Sequence, residues 1–207
     1  MSLNILHLVL GPIQNNLYIV YDETKKCAII DAPMDCASSV SKIIAEKKLI
    51  PEYILLTHSH WDHIGGLKEL KLKTNAKICV HKDDAYRLIE ENSVNLPVML
   101  EKISPDVLLA GGEQIQFGNT KIDVLFTPGH TEGGVCFVVN DSKVVFTGDT
   151  LFEGSIGRTD FPGGSYSTLI TSIKNKLFSL PDDFIVYSGH GGTTTIGQEK
   201  KYNPFLT

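Results

Sequence analysis

Metal-binding side chains are concentrated in one short stretch, which reads THSHWDH from Thr57 to His63. Three histidines and one aspartate fall within six positions, directly after an apolar run that ends at Leu56. His58 and His60 alternate in an extended loop, so both side chains can face the same side. Imidazole and carboxylate are good zinc ligands, and this spacing is not the helical H-E-x-x-H arrangement, which also needs a glutamate. The stretch therefore predicts a metal site.

Three further candidate ligands each follow an apolar run later in the chain. They are His130 in VLFTPGH, Asp149 in VVFTGD and His190 in IVYSGH. A lone histidine or aspartate after a strand usually caps a helix or makes an ordinary hydrogen bond. Such structural roles are a poor explanation for seven residues of these types in this arrangement. A single tetrahedral zinc has room for three or four ligands. The seven candidates therefore predict two metal ions; they are His58, His60, Asp62, His63, His130, Asp149 and His190.

The elements that must position these residues are strands, because every candidate follows an apolar, strand-like run. Strands are predicted at NILHLVL, NNLYIVY, KCAII, EYILL and AKICV, then around GNT, in GGVCFVV and KVVFTG, and at FIVYS. Helical spacing is seen in SSVSKIIAEKKL, KDDAYRLIEE and YSTLITSIKNKLFSL. Several strands followed by a helix in each half predict an α/β fold, an αββα sandwich of two mixed sheets flanked by helices. We expect one domain over residues 1–207, with the strand ends converging on one edge.

Composition narrows the class of protein. The chain has 207 residues and a formal net charge of -5, which disfavours a nucleic-acid partner because that affinity depends on lysine and arginine. No apolar run reaches the roughly 20 residues of a membrane helix, and the N-terminus lacks the basic start of a signal peptide. The four cysteines form no C-x-x-C pair, as expected for reduced, buried thiols. We expect a cytoplasmic protein that acts on small molecules.

The motifs THSHWDH, TPGHT, FTGDT and the late SGH, in that order, resemble the signature of the metallo-β-lactamase superfamily. The resemblance covers nearly the whole chain. It implies a first metal held by His58, His60 and His130, a second held by Asp62, His63 and His190, and Asp149 as the bridge between them. Zinc is the first expectation for both ions, and iron or manganese also suits these ligands.

This resemblance implies hydrolysis. Two metal ions about 3.5–4 Å apart can share one water and lower its pKa towards neutrality, which makes the bridging hydroxide the nucleophile. One ion polarises the substrate carbonyl and stabilises the developing oxyanion. Asp62 is the candidate catalytic residue because its carboxylate can orient the hydroxide.

Within the superfamily, GSIGRTDFPGG, LPDDFIVYSGHG and EKKYNPFL resemble the short, single-domain members of the glyoxalase II-like branch. These hydroxyacylglutathione hydrolases imply a small-molecule partner, S-lactoylglutathione or a related acyl-thioester. A thiolate is a good leaving group and could depart without a strong general acid. No dedicated acid is obvious in the sequence, which fits that reaction.

The chain departs from glyoxalase II where that family holds glutathione. Arg158 and Asp160 stand where glyoxalase II has a lysine and a tyrosine. Gly191 and Gly192 follow the last metal histidine, where that family has a Glu-Tyr pair. Arg158 is a candidate substrate-binding residue because its guanidinium can hold a carboxylate in a bidentate fork, and pairing with Asp160 is the equal alternative.

Two other functions compete with hydrolysis. The GRTDF stretch and the metal signature also resemble those of the persulfide dioxygenases. A protein of that family would hold a single iron, here through His58, His130 and Asp149. The segment GGTTTIGQEKKYNP looks more like the short hydrolases and favours hydrolysis. A metal-binding module without activity is disfavoured because the ligand set is complete.

Overall fold

The first sheet is formed by the N-terminal half of the chain. The computed structural model describes residues 3–89 and 100–207. The sheet consists of β1 (Asn4–Leu10), β2 (Asn15–Tyr21), β3 (Lys26–Ile30), β4 (Ile50–Leu55), β5 (Lys77–His81) and β6 (Val107–Leu109), which lie side by side in chain order. The first three strands pair antiparallel, whereas β3 to β6 pair parallel. Because parallel neighbours need crossovers, helices separate β3 from β4 and β4 from β5.

The second sheet is formed by the C-terminal half. It consists of β7 (Gln114–Phe117), β8 (Thr120–Phe126), β9 (Val135–Val139), β10 (Val144–Gly148), β13 (Ile185–Ser188) and β14 (Thr194–Thr195), in the order β14-β13-β10-β9-β8-β7. A separate hairpin is formed by β11 (Leu151–Phe152) and β12 (Ser155–Ile156). β10 and β13 pair parallel and the other neighbours pair antiparallel. Consequently β8, β10 and β13 all point towards the same edge of the sheet.

Six α-helices accompany the sheets in the described residues. They are α1 (Cys36–Lys47), α2 (Trp61–Ile64), α3 (Leu67–Thr74), α4 (Tyr86–Ile89), α5 (Tyr166–Asn175) and α6 (Ile196–Tyr202). The side chains of Ser165 and Thr195 cap α5 and α6 by accepting backbone N–H bonds. The last two residues of the predicted helix KDDAYRLIEE lie outside the described residues. The longest described helix, α1, has 12 residues, and none of the described helices could cross a bilayer.

Three apolar layers hold these elements together. Val40 and Leu70 pack between the first sheet and helices α1 and α3. Phe137 and Phe146 belong to the layer between the two sheets, and Ile173 belongs to the layer under α5 and α6. Helices therefore cover the outer faces of two packed, mixed sheets, and the predicted αββα sandwich is confirmed.

We expect the layer between the sheets to contribute strongly to the free energy of unfolding. Phe146 is fully buried there, and its ring centroid lies 5.3 Å from those of Tyr18 and Tyr187. Phe146→Ala should cost about 3–5 kcal/mol in urea unfolding because it removes buried area and leaves a cavity. Leu72→Ala is the matched control; its side chain is 76% exposed, so the loss should stay within about 0.5 kcal/mol. Equal losses in the two variants would contradict this account of the core.

Candidate metal centre

The seven candidate ligands lie at one edge of the sandwich. His58 and His60 follow β4 in an extended segment, and α2 then begins at Trp61 and turns the next two residues back. In the second sheet the ends of β8, β10 and β13 lead to the other three candidates. The structure brings all seven together; they are His58, His60, Asp62, His63, His130, Asp149 and His190.

Three imidazoles form the first group. One nitrogen each of His58, His60 and His130 lie within 4.8 Å of one another, the spacing of atoms that share an ion. The Nδ1 atom of His60 is 2.8 Å from Nε2 of His130. The ring of His58 meets both other rings edge to face, at centroid distances of 4.9 and 4.7 Å. We call His58, His60 and His130 the first subsite.

Two imidazoles and a carboxylate form the second group, Asp62, His63 and His190, whose ligand atoms also lie within 4.8 Å of one another. The Oδ2 atom of Asp62 is 3.4 Å from Nε2 of His63 and 3.3 Å from Nε2 of His190. Asn15 donates from Nδ2 to the same carboxylate oxygen at 2.6 Å. We call Asp62, His63 and His190 the second subsite.

Asp149 lies between the two subsites. Its Oδ1 atom is 3.3 Å from Nε2 of His63, and its Oδ2 atom is 3.6 Å from Nε2 of both His130 and His190. It also forms a third ligand group with His58 and His63. One carboxylate therefore reaches imidazoles of both subsites, which is the position that a bridging ligand needs.

Asp31 orients two of these loops, although the sequence analysis did not single it out. The carboxylate accepts hydrogen bonds from the backbone N–H and the hydroxyl of Thr57, both at 2.8 Å, and from Nδ1 of His63 at 2.8 Å. A carboxylate that accepts from one ring nitrogen leaves the other free to bind a metal. The available signal was placement, because Asp31 follows the apolar run of β3 just as the candidate ligands follow theirs.

A backbone carbonyl orients His130. Its Nδ1 atom donates to the carbonyl of Arg158 at 2.7 Å, which leaves Nε2 facing Asp149. The neighbouring Gly157 packs against the site without a side chain, since a Cβ atom there would lie 1.8 Å from the carbonyl oxygen of Asp149 and 3.2 Å from Nδ1 of His130. Main-chain contacts therefore hold Gly157 and Arg158 beside His130.

Burial keeps the first subsite neutral. It lowers the pKa of His60 to about 3, and the pKa of His58 and of His130 also lies below the usual value. Nearby histidines add to this effect at all three rings. Neutral imidazole is the form that binds metals.

The carboxylates reverse this trend in the second subsite. Burial opposes charge there, but Asp149 and Asp31 hold the pKa of His63 well above its usual value. Burial also raises the pKa of Asp62, but the hydrogen bond to His190 and the charge of His63 outweigh it and lower that pKa overall. Asp62 is consequently an ionised carboxylate at neutral pH.

Unpartnered buried atoms test whether a cation fits this site. Among the described residues, Nε2 of His58, Nε2 of His63 and Oδ1 of Asp149 are buried and have no hydrogen-bond partner. Buried polar atoms without partners are costly, and these three belong to one ligand group. The donor set of imidazoles and carboxylates therefore fits divalent metal ions.

Three exposed residues, Arg158, Asp160 and Phe161, form the mouth of the site, where Arg158 is paired with Asp160. Arg158 donates from Nε and Nη2 to the two carboxylate oxygens of Asp160 at 2.8 and 2.7 Å. Its guanidinium carbon also lies 3.8 Å from the ring centroid of Phe161, and that ring meets His60 edge to face at 5.7 Å. Of the two predicted roles of Arg158, the structure shows the ion pair, and substrate binding stays a prediction.

Comparisons with known proteins agree with this fold and donor set. The family model described as the metallo-beta-lactamase superfamily matches residues 10–190. The chain is 41% identical to the probable metallo-hydrolase YqgX of Bacillus subtilis, over 95% of this chain and 94% of that protein. It is also 41% identical to the hydroxyacylglutathione hydrolase GloC of Haemophilus influenzae, over 93% of each.

Similar solved structures support the same fold and family. BLEG-1, a B3 metallo-beta-lactamase, is 37% identical with a TM-score of 0.91, over 99% of this chain and 100% of that one. TTHA1623 in a di-iron-bound form is 33% identical with a TM-score of 0.79, over 97% and 100%. The fold and the clustered histidines and aspartates define a metallo-hydrolase class of protein. The chain belongs to the metallo-beta-lactamase superfamily.

Asp149→Ala should remove metal from both subsites, because this carboxylate reaches imidazoles of each. We expect the metal content of the purified variant, measured by atomic emission, to fall at least about tenfold. Asp141→Ala removes an exposed carboxylate in the turn between β9 and β10 and should leave the metal content unchanged. Full metal content in Asp149→Ala would rule out a bridging role.

Proposed function

We propose that this protein is a metal-dependent thioester hydrolase that cleaves S-lactoylglutathione or a related acyl-thioester. The observation that carries this proposal is the pair of ligand groups joined by Asp149. The 41% identity to a hydroxyacylglutathione hydrolase supports the choice of a thioester among the substrates that such a centre could hydrolyse.

The first subsite would hold one divalent ion, the second subsite would hold another, and Asp149 would contact both. Divalent ions bound there would supply activation of water and polarisation of the substrate carbonyl. Zinc is our first choice, and iron is the second because a similar protein has been solved with two irons.

Asp62 is our candidate catalytic residue. It is buried, its pKa is lowered, and Asn15 fixes the orientation of its carboxylate by donating to Oδ2 at 2.6 Å. An ionised carboxylate held in this way can accept a hydrogen bond from the attacking water and keep it in line with the carbonyl. The thiolate product needs no proton from the protein in order to leave, since the pKa of a free thiol is about 8.5.

We place this reaction on small molecules in the cytoplasm. All four cysteines are buried free thiols, and burial raises the pKa of Cys27, Cys36 and Cys79 to about 12, so they are inert and suit a reducing compartment. The mouth offers a neutral Arg158–Asp160 pair and the half-exposed ring of Phe161.

Metal stoichiometry is the measurement that tests the proposed function. Protein purified from cells supplemented with zinc should contain close to two metal ions per chain and should hydrolyse S-lactoylglutathione. A chelator should abolish that hydrolysis, and added zinc should restore it. One iron per chain, together with oxygen uptake in the presence of glutathione persulfide, would instead identify the dioxygenase.

The pair at the mouth gives a second prediction, on substrate charge. Both side chains are more than half exposed, so an ion pair of this kind is weak and Arg158 can exchange its partner at little cost. Asp160→Asn frees Arg158, and we expect the KM for S-lactoylglutathione, which bears carboxylates, to fall about two- to fivefold with kcat unchanged. The KM for a neutral thioester with the same acyl group should not move.

Asp183→Asn is the matched control for that variant. It removes an exposed carboxylate that pairs with Lys143 elsewhere on the surface, so it should change neither KM. A KM that falls equally for anionic and neutral thioesters would show that Arg158 does not contact a substrate carboxylate.

A further inference from the structure

Asp84 is a fully buried carboxylate that is not a candidate ligand. Its Oδ2 atom accepts hydrogen bonds from the backbone N–H of Ser59 and the hydroxyl of Thr131, both at 2.9 Å. Its Oδ1 atom accepts from the backbone N–H of Gly133 at 2.8 Å and from Nη1 of Arg87 at 2.9 Å. Four donors therefore converge on one carboxylate.

These partners adjoin the ligands of the first subsite. Ser59 lies between His58 and His60, and its hydroxyl also donates to the backbone carbonyl of Asp84 at 2.9 Å. Thr131 follows His130 directly. Asp84 thus joins the loop after β4 to the loop after β8, although the two loops belong to different sheets.

Arg87 extends this junction towards the mouth. Besides Asp84, its guanidinium donates to the carboxylate of Glu132 and lies 3.5 Å from the carbonyl of Pro162. Pro162 follows Phe161, the aromatic ring that meets His60. Asp84 and Arg87 therefore connect the first subsite and the mouth through one set of charge-assisted bonds.

The second subsite is held by other residues. Asn16 donates from Nδ2 to the carbonyls of Ser188 and Gly191, at 2.9 and 3.0 Å, on either side of His190. The neighbouring Asn15 donates to the carboxylate of Asp62. None of these bonds involves Asp84 or Arg87.

We propose that Asp84, supported by Arg87, is a positioning residue for the first subsite alone, so that the two subsites can be weakened independently. This inference rests on the metal centre of the proposed function. Asp84→Asn keeps the shape of the side chain but replaces one acceptor oxygen with an amide. The amide then faces the donors of Ser59 and Thr131 if it replaces Oδ2, or those of Gly133 and Arg87 if it replaces Oδ1, so at least one of the two loops loses a hydrogen bond in either orientation.

Cobalt titration of the metal-free protein is the experiment, with affinity from competition with a chromophoric chelator and the visible absorption bands as the spectroscopic signature. The wild-type protein should bind cobalt in two steps. Asp84→Asn should weaken one step about 10–100-fold and shift its absorption bands, with the other step unchanged within about threefold. Asn16→Ala is the matched variant, because it also removes buried side-chain hydrogen bonds to loops that carry ligands; it should weaken the other step.

Each remaining outcome is decisive. Equal weakening of both steps by Asp84→Asn, weakening of neither, or weakening of the step that Asn16→Ala affects would overturn the inference. If the wild-type protein binds one cobalt, Asp84→Asn must weaken it and Asn16→Ala must not. A wild-type protein that binds no cobalt would refute the proposed function and this inference together.

Thr131→Val covers the case in which Asp84→Asn does not fold. It is nearly isosteric, and it removes one donor while leaving the carboxylate in place. It should weaken the step that Asn16→Ala leaves unchanged, by about three- to tenfold. Thermal unfolding of the metal-free variant should remain cooperative, which separates loss of a subsite from loss of the fold.

Discussion

Face-to-face packing of the two sheets is the constraint on which the site depends. The loop after β4 leaves the first sheet, whereas the loops after β8, β10 and β13 leave the second. Their side chains meet only because the apolar layer that contains Phe137 and Phe146 holds the two edges in register. The carboxylate of Asp84 also joins the two sheets, because it accepts hydrogen bonds from one loop of each. The metal centre is therefore a product of tertiary packing.

Electrostatics sets the second constraint. Five of the seven histidines in the chain crowd into one buried place, and burial alone would discharge all of them. The carboxylates of Asp31 and Asp149 raise the pKa of His63 on one side of the cluster, whereas burial and neighbouring histidines hold the pKa of His58 and His60 below the usual value on the other. A protein folded around such a cluster gains stability from any cation that the folded state binds and the unfolded chain does not. Metal binding and folding are thus thermodynamically coupled here.

The sequence predicted best what local pattern controls. NILHLVL and NNLYIVY match β1 and β2 at every residue, because the turn GPIQ separates two runs of strand-forming side chains. The predicted helix over residues 38–49 instead spans Cys36–Lys47, because Lys48 takes a left-handed conformation and ends it. The helix α3 was not predicted, since only two of its eight residues are buried, and β6, with three residues, is too short to show a pattern. Residue type and placement after strands indicated all seven candidate ligands. The hydrogen bonds that tie Asp84 and Asn16 to the ligand loops join residues more than 20 positions apart, which no local pattern reveals.

The hydrogen bond from His130 to the carbonyl of Arg158 has a consequence for divergence within this fold. Every amino acid carries that carbonyl, so position 158 can change its side chain without releasing His130. Gly157 is under the opposite restriction, because the carbonyl of Asp149 leaves no room for a side chain. The side chain at position 158 can therefore vary, whereas position 157 is restricted to glycine. A lineage can vary the exposed side chain at residue 158 while the orientation of His130 is inherited unaltered.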